Sequence, residues 1–137
     1  MEEYIKCRKI VGGVGVGRII YTKNPLNFLS AVNRKTGVVT DPLHELAGVS
    51  LKNSILVFPH GTGSSVGAYS IFALKINGVA PSGMICTLKV DISTASGCAI
   101  AGIPLARLIN GDRLQGNLNH VEAVIDANNG LLKINKV

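Results

Sequence analysis

Ile55-Leu56-Val57-Phe58-Pro59-His60-Gly61-Thr62-Gly63-Ser64-Ser65-Val66-Gly67-Ala68-Tyr69 runs from an unbroken apolar tetrapeptide through a glycine- and serine-rich turn into the start of a helical pattern. A short apolar run bounded by turn residues is the pattern of a strand buried on both faces. Val66, Tyr69, Phe72, Ala73 and Ile76 recur at three and four, which predicts a helix over 65–76, and Asn77-Gly78 supplies its stop. The strand, turn and helix form one unit of an α/β fold. A second unit loosely repeats it: a strand over 83–89, then a small-residue helix over 95–101 that ends at Gly102 before Ile103-Pro104-Leu105.

Outside these units the chain reads as mostly strand. Val- and Ile-rich segments at 5–10 and 16–21 predict two paired strands, with Gly12-Gly13-Val14-Gly15 as the turn between them. Residues 22–52 are irregular, broken by Asn24-Pro25, Thr36-Gly37, Asp41-Pro42 and Gly48, with a short strand at Val38-Val39. A loop of that length in a small domain suggests a lid or a docking arm. Strands near 113–117, 121–126 and 131–135 close the chain, the last two joined across Asn128-Asn129-Gly130. The fold class is α/β: a single β-rich domain over residues 1–137 with two or three helices.

Composition narrows the function. The 137 residues suffice for one core and fall short of a two-domain enzyme with a cleft between its halves. Hydrophobic residues make up 47% and charged residues 16%, a lean surface that suits a chain covered on one face by a partner. Fourteen Lys and Arg against eight Asp and Glu give +6, yet the cations are scattered and only six Tyr and Phe are present. A nucleic-acid binder would show a basic stripe and stacking aromatics, so a small anion or an acidic partner fits better. No run reaches the ~18 apolar residues of a membrane helix, and Met1-Glu2-Glu3-Tyr4 lacks the layout of a signal peptide, which suggests a cytoplasmic protein. Cys7, Cys86 and Cys98 are widely spaced within apolar segments and read as buried hydrophobes.

Chemistry concentrates in the turn. Small residues at Gly61, Gly63 and Gly67 let bare backbone N–H groups and the hydroxyls of Thr62, Ser64 and Ser65 gather at a helix start, where developing negative charge is welcome. Ser64 or Ser65 also fits a plain helix cap. The string lacks the Lys of a Walker loop and is not a Gly-x-Ser-x-Gly elbow, and Gly13-Val14-Gly15-Val16-Gly17 leads into a strand and so is no nucleotide fingerprint. His44, His60 and His120 have no metal-ligand spacing. His60 adjoins the turn, while Asp41 and His44 lie on the long loop, from which polar groups can reach a cleft. Carboxylate pairs for acid/base work are absent. A donor-rich pocket with no metal cage and no triad reads as half of an active site.

Nearly the whole chain resembles the small subunits of the aconitase X group, in the branch of archaeal-type phosphomevalonate dehydratases. The resemblance rests on Ile10-Val11-Gly12-Gly13, Asn27-Phe28-Leu29, Thr36-Gly37, Asp41-Pro42-Leu43-His44, the stretch 59–69, Asn77-Gly78-Val79-Ala80-Pro81 and Ala99-Ile100-Ala101-Gly102-Ile103-Pro104, which match in order and spacing. It implies a swivelling β/β/α domain and a heteromer with a larger aconitase-like subunit. That subunit carries a [4Fe-4S] cluster as Lewis acid on a leaving hydroxyl, and this chain alone binds no cofactor. It further implies dehydration of (R)-5-phosphomevalonate to trans-anhydromevalonate 5-phosphate in isoprenoid synthesis. Ser64 would be the base taking a proton from the carbon next to the carboxylate, and Thr62, Gly63 and Ser65 would line the substrate pocket. Family members often carry Ser where Ala68 stands and Asp near Asn33, and some relatives act on hydroxyproline-type substrates. Arg18, Lys23, Arg34 and Lys35 are the cations that such a phosphate would call on. The competing readings are a swivelling phosphocarrier-like domain or a noncatalytic anion-binding module. A carrier needs a His before its second helix, where this chain has Ser93-Thr94-Ala95-Ser96.

Overall fold

Seven strands close into a barrel in the order β1-β5-β4-β3-β2-β6-β7, and three helices lie on one side of it. The structure is a computed structural model that describes residues 2–110, 114 and 118–135. In chain order the elements are β1 (Glu2–Val11), β2 (Val14–Tyr21), α1 (Phe28–Ala31), β3 (Ile55–Phe58), α2 (Gly67–Ile76), β4 (Gly83–Cys86), α3 (Ile92–Ala101), β5 (Leu105–Leu108), β6 (Glu122–Asp126) and β7 (Leu131–Asn135). Strands β2, β3, β4 and β5 run parallel, and β1, β6 and β7 complete the barrel through antiparallel pairs. The expected strand near 113–117 lies outside the described residues, apart from Leu114.

Two apolar layers hold this arrangement. Along β3, Ile55 and Val57 point into the barrel with Ile5, Ile19, Ile85 and Ile125, while Leu56 and Phe58 point to the helices and meet Ile71, Leu74 and Cys98. A strand buried on both faces has no polar side to show, which is why 55–58 reads as a continuous apolar run. At about 25 cal/mol per Å2 of apolar surface removed from water, these two layers are the main driving force for folding.

The structure corrects four expectations. β1 and β2 do not pair with each other; the β6–β7 hairpin lies between them, β7 pairing with β1 and β6 with β2. At the junction the Ala127 N–H donates to the Gly13 carbonyl and the Gly13 N–H to Asn128 Oδ1, so the hairpin turn locks onto the glycines that were to have joined the two strands. Strand β4 stops at Cys86, because Thr87 N–H turns back to the Phe58 carbonyl and Leu88 and Lys89 N–H to that of Pro59. The segment 22–52 is neither lid nor arm. It packs Leu26, Phe28, Ala31, Val32, Val39, Leu46 and Leu51 into the helix-side layer and is stitched by bonds such as Thr40 N–H to the Ala31 carbonyl and Leu51 N–H to that of Gly37. Val38 and Val39 make isolated bridges to Ser50 and Val32. Phe28 of α1 meets Phe58 edge to face, with ring centroids 5.8 Å apart.

The fourth correction concerns α2. Its buried residues are Gly67, Ala68, Ser70, Ile71 and Leu74, and the apolar stripe seen in the sequence faces outward. Tyr69 is 70% and Ile76 67% exposed, with Val66 and Phe72 beside them. Small residues line the inner face because α2 packs closely on α3, where a Cβ at Gly97 would stand 3.2 Å from the Ala68 Cα. Ala68 therefore sits in a helix–helix contact.

Candidate functional site

The C-terminal ends of β2, β3, β4 and β5 lie at one end of the barrel, the end where parallel α/β sheets place their ligands. The loop 59–66 rises from β3 at this end and is pinned on both flanks. On one side Leu26 N–H donates to the His60 carbonyl and Thr62 N–H to the Leu26 carbonyl. On the other, Gly61 N–H donates to Asp91 Oδ1 at 2.7 Å, and the Pro59 carbonyl accepts from the loop after β4.

Asp91 is the anchor of this site, and the sequence reading passed it over. One oxygen holds Gly61; the other accepts from Ser93 Oγ at 2.6 Å, Thr94 Oγ1 at 3.0 Å and Thr94 N–H at 3.1 Å, capping α3. Burial pushes the Asp91 carboxyl up, but the hydrogen bonds from Ser93, Thr94 and Gly61 together outweigh it and hold the group below its ordinary value. The signal was present as Asp91-Ile92-Ser93-Thr94 at the head of a small-residue helical stretch, an N-cap pattern. The closeness of the two loops requires glycine at 61, because a Cβ there would collide with Thr94 Oγ1 and stand 2.6 Å from Asp91 Oδ2.

Beyond these anchors the chain arches into solvent. Thr62, Gly63, Ser64 and Ser65 are all exposed. Gly63 turns with φ +93, a left-handed conformation that glycine adopts without strain, and packs on Asn27, whose Oδ1 caps α1 at Leu29 and Ser30 N–H. The arch opens α2 through three-residue turns, Gly67 N–H to the Ser64 carbonyl and Ala68 N–H to that of Ser65, and α2 itself has no side-chain cap. Ser64 Oγ accepts weakly from Val66 N–H at 3.4 Å, so the capping reading of the serines is not what the structure shows. Among the described residues, the N–H groups of Gly63, Ser64 and Ser65 and the hydroxyls of Thr62 and Ser65 have no protein partner.

This geometry can stabilise an oxyanion. Three consecutive amides without a protein partner and a helix start adjoin in sequence one hydroxyl that already accepts a hydrogen bond. The helix macrodipole contributes only about 0.3–1 kcal/mol in an exposed position. A positioned donor in a water-excluded site is worth about 3–4 kcal/mol, so the amides matter more, provided something excludes the water. Concavities of about 260 and 350 Å3 lie away from the arch, one lined by Val16, Glu122 and Lys133 and the other by Tyr21, Glu45 and Leu46.

The other candidates fall away from this point. His44 is buried, its Nε2 donating to the Pro25 carbonyl at 3.0 Å and its Nδ1 accepting from Leu46 N–H, and it serves the packing of the 22–52 segment. Asp41 Oδ1 accepts from Leu43 N–H, and Asn33 Oδ1 from Lys35 and Thr36 N–H, so both are turn residues. His60 stays with the loop, its ring Nδ1 2.8 Å from the Gly61 carbonyl. His120 is exposed, with φ 68, at the entry to β6. Arg18, Lys23, Arg34 and Lys35 are exposed.

The thiols are equally remote from reactivity. Burial pushes Cys7 up to about 11, Cys86 up to about 12 and Cys98 higher still. We expect the folded chain to resist alkylation at neutral pH and all three thiols to react once it is unfolded, as mass spectrometry after iodoacetamide treatment would register; rapid native labelling would contradict this burial.

Comparison with known proteins agrees with the fold. The sequence model described as "Aconitase X swivel domain" matches residues 4–134. The chain is 43% identical over 111 residues to the phosphomevalonate dehydratase small subunit of Thermococcus gammatolerans, covering 81% of this chain and 84% of the relative. It is 38% identical over 130 residues to the protein of that name from Methanococcoides burtonii, covering 95% and 94%. A crystal structure of Thermococcus kodakaraensis aconitase X in its holo-form superposes with a TM-score of 0.89 at 37% identity, covering 98% of this chain and 99% of that one.

Proposed function

Because this chain belongs to the aconitase X swivel-domain family, we propose that it is the small subunit of a hydro-lyase that dehydrates (R)-5-phosphomevalonate to trans-anhydromevalonate 5-phosphate. The names of its relatives support the reaction and the subunit. The observation that carries the reading is the arch itself: the Ser64 hydroxyl next to three successive amides without a protein partner, all exposed to solvent at the strand ends. Such a site is finished by another polypeptide. The apolar stripe Val66, Tyr69, Phe72 and Ile76 starts two residues after Ser64 and is the surface that this polypeptide covers.

In the assembled site Ser64 Oγ, as the alkoxide, takes a proton from the carbon next to the substrate carboxylate. The electron pair of that C–H bond becomes the new double bond, the C–O bond of the neighbouring carbon breaks with its electrons leaving on oxygen as hydroxide, and transfer of the proton from Ser64 Oγ to that hydroxide gives water and restores the alkoxide. The amides of Gly63, Ser64 and Ser65 and the Val66 N–H stabilise the alkoxide before the transfer. Thr62 and Ser65 offer hydroxyls to the substrate, and Gly63 lets it approach the backbone. Closure by the partner removes water and raises the worth of every donor.

The family resemblance brings a [4Fe-4S] cluster with it, which needs clustered thiolate ligands. Among the described residues no three His, Cys, Asp or Glu side chains gather, and the cysteines are buried in apolar packing. We assign the cluster to the larger, aconitase-like subunit. The phosphocarrier alternative is disfavoured by the first turn of α3, where the Ser93 and Thr94 hydroxyls are committed to Asp91.

Assembly tests the reading. Co-expressed with the aconitase-like large subunit of the same organism, the chain should co-purify as a brown, oxygen-sensitive complex that forms the anhydro product, and the isolated chain should form none. Turnover by the isolated chain, or a complex inert toward phosphomevalonate, would refute it.

A further inference from the structure

Arg8 of β1 and Arg107 of β5 stand directly opposite each other in an antiparallel pair. Their neighbours in the register, Cys7 and Leu108, point into the barrel, so the two arginines share the other face, the one that Leu105, Cys86 and Phe58 occupy. Like charges in opposed positions destabilise a sheet. Nothing offsets them: among the described residues neither guanidinium has an ion-pair partner, and the ion pair there is Lys133 with Glu2.

The position of the pair is informative. Phe58, Cys86 and Arg107 are in register across β3, β4 and β5, so Arg107 stands two strand spacings, about 10 Å, from the residue on which the Ser64 loop begins. Arg107 Nε donates to the Leu88 carbonyl at 3.1 Å, and Leu88 N–H donates to the Pro59 carbonyl at 3.2 Å. The guanidinium is thereby held by the loop that holds the Ser64 arch, half-buried, with its two terminal nitrogens unengaged. A side chain fixed at Nε and free at both Nη atoms presents donors in a set direction, at little further entropy cost on binding.

We propose that Arg8 and Arg107 form a clamp for a phosphate dianion, and that it takes the phosphoryl end of the substrate whose carboxylate end lies at Ser64. This rests on the dehydratase reading above. A dianion between two guanidiniums turns their repulsion into attraction and matches their bidentate donors. The clamp also accounts for substrate choice: a hydroxyproline-type molecule has no group to place there.

The test uses the complex with the large subunit and the variants Arg8→Ala, Arg107→Ala and Arg107→Lys. Each clamp variant should raise KM for phosphomevalonate roughly tenfold or more with kcat little changed. Mevalonate, the same molecule without the phosphate, should compete with an inhibition constant unchanged from that of the unmutated complex. Arg107→Lys should recover little, because it lacks the Nε anchor and the planar fork. A wild-type complex that does not turn over phosphomevalonate defeats the functional reading. A competent complex whose KM is unmoved by Arg8→Ala defeats the clamp alone, whatever Arg107→Ala does to folding. An equal loss of affinity for both molecules also overturns it, since the arginines would then act on the fold and not on the phosphate.

Discussion

Ser64→Ala is expected to leave the complex assembled and folded while lowering kcat by a factor between about 10² and 10⁴, the usual range for removing a positioned base. Two features make the expectation specific. Ser64 is exposed and its one hydrogen bond is long, so folding loses almost nothing with the hydroxyl. The neighbouring hydroxyl of Ser65 has no partner among the described residues, which makes Ser65→Ala the control: it should cost far less if Ser64 is the base. Reversal of the two effects, with Ser65→Ala the inactive variant and Ser64→Ala near normal, would move the base by one residue. Steady-state rates of anhydro product formation, with native mass of the complex as the folding check, decide between the two.

Replacing Asp91 by Ala should destabilise the chain by about 2–4 kcal/mol, from the loss of a helix cap and of the charge-assisted bond to Gly61 together. Because Gly61 carries the arch, turnover should fall as well, a loss that a remote helix cap would not cause. The pH dependence carries a sign. Hydrogen bonds hold the folded-state carboxyl below its ordinary value, so its stabilisation is present above the ordinary carboxylate pKa of about 4 and is lost as pH falls through the folded value. Chemical denaturation of the wild type should show stability declining on acidification below about pH 5, and Asp91→Asn should flatten that decline. An Asp91→Ala chain as stable as the wild type would mean that the two loops hold each other without this carboxylate.

The strand–turn–helix at 55–76 was legible because its signals are local: an apolar run, turn residues, then a change of period. The second unit was legible for the same reason, although α3 begins at Ile92, earlier than expected, once Asp91 is recognised as its cap. Barrel closure was not legible. Nothing near Gly12-Gly13 announces that the partners of β1 and β2 are a hairpin more than a hundred residues onward, and loop closure over that distance leaves no mark on the strands themselves. Two short elements escaped, α1 and β5, each four residues long and too brief to show a period.

The face of α2 was inverted for a physical reason. Large apolar residues are the usual sign of an inner face, but a helix packed closely on another needs small ones there, and Gly67, Ala68 and Ser70 are silent in a hydrophobicity pattern. The outward stripe is instead the signature of a chain completed by a partner, in line with the low charge content of the sequence. The arch at 61–65 was found from its composition. Its anchor, Asp91, lies on another loop 30 residues away from Gly61, and only the fold brings them together.

The most direct test of the account is solvent deuterium exchange at the substrate carbon next to the carboxylate, followed by mass spectrometry on the complex in D2O. The unmutated complex should wash deuterium into the substrate pool as it runs, and Ser64→Ala should leave that position protonated over the same time. Exchange at the unmutated rate in Ser64→Ala would mean that another group takes the proton, and the role assigned to the arch would be wrong.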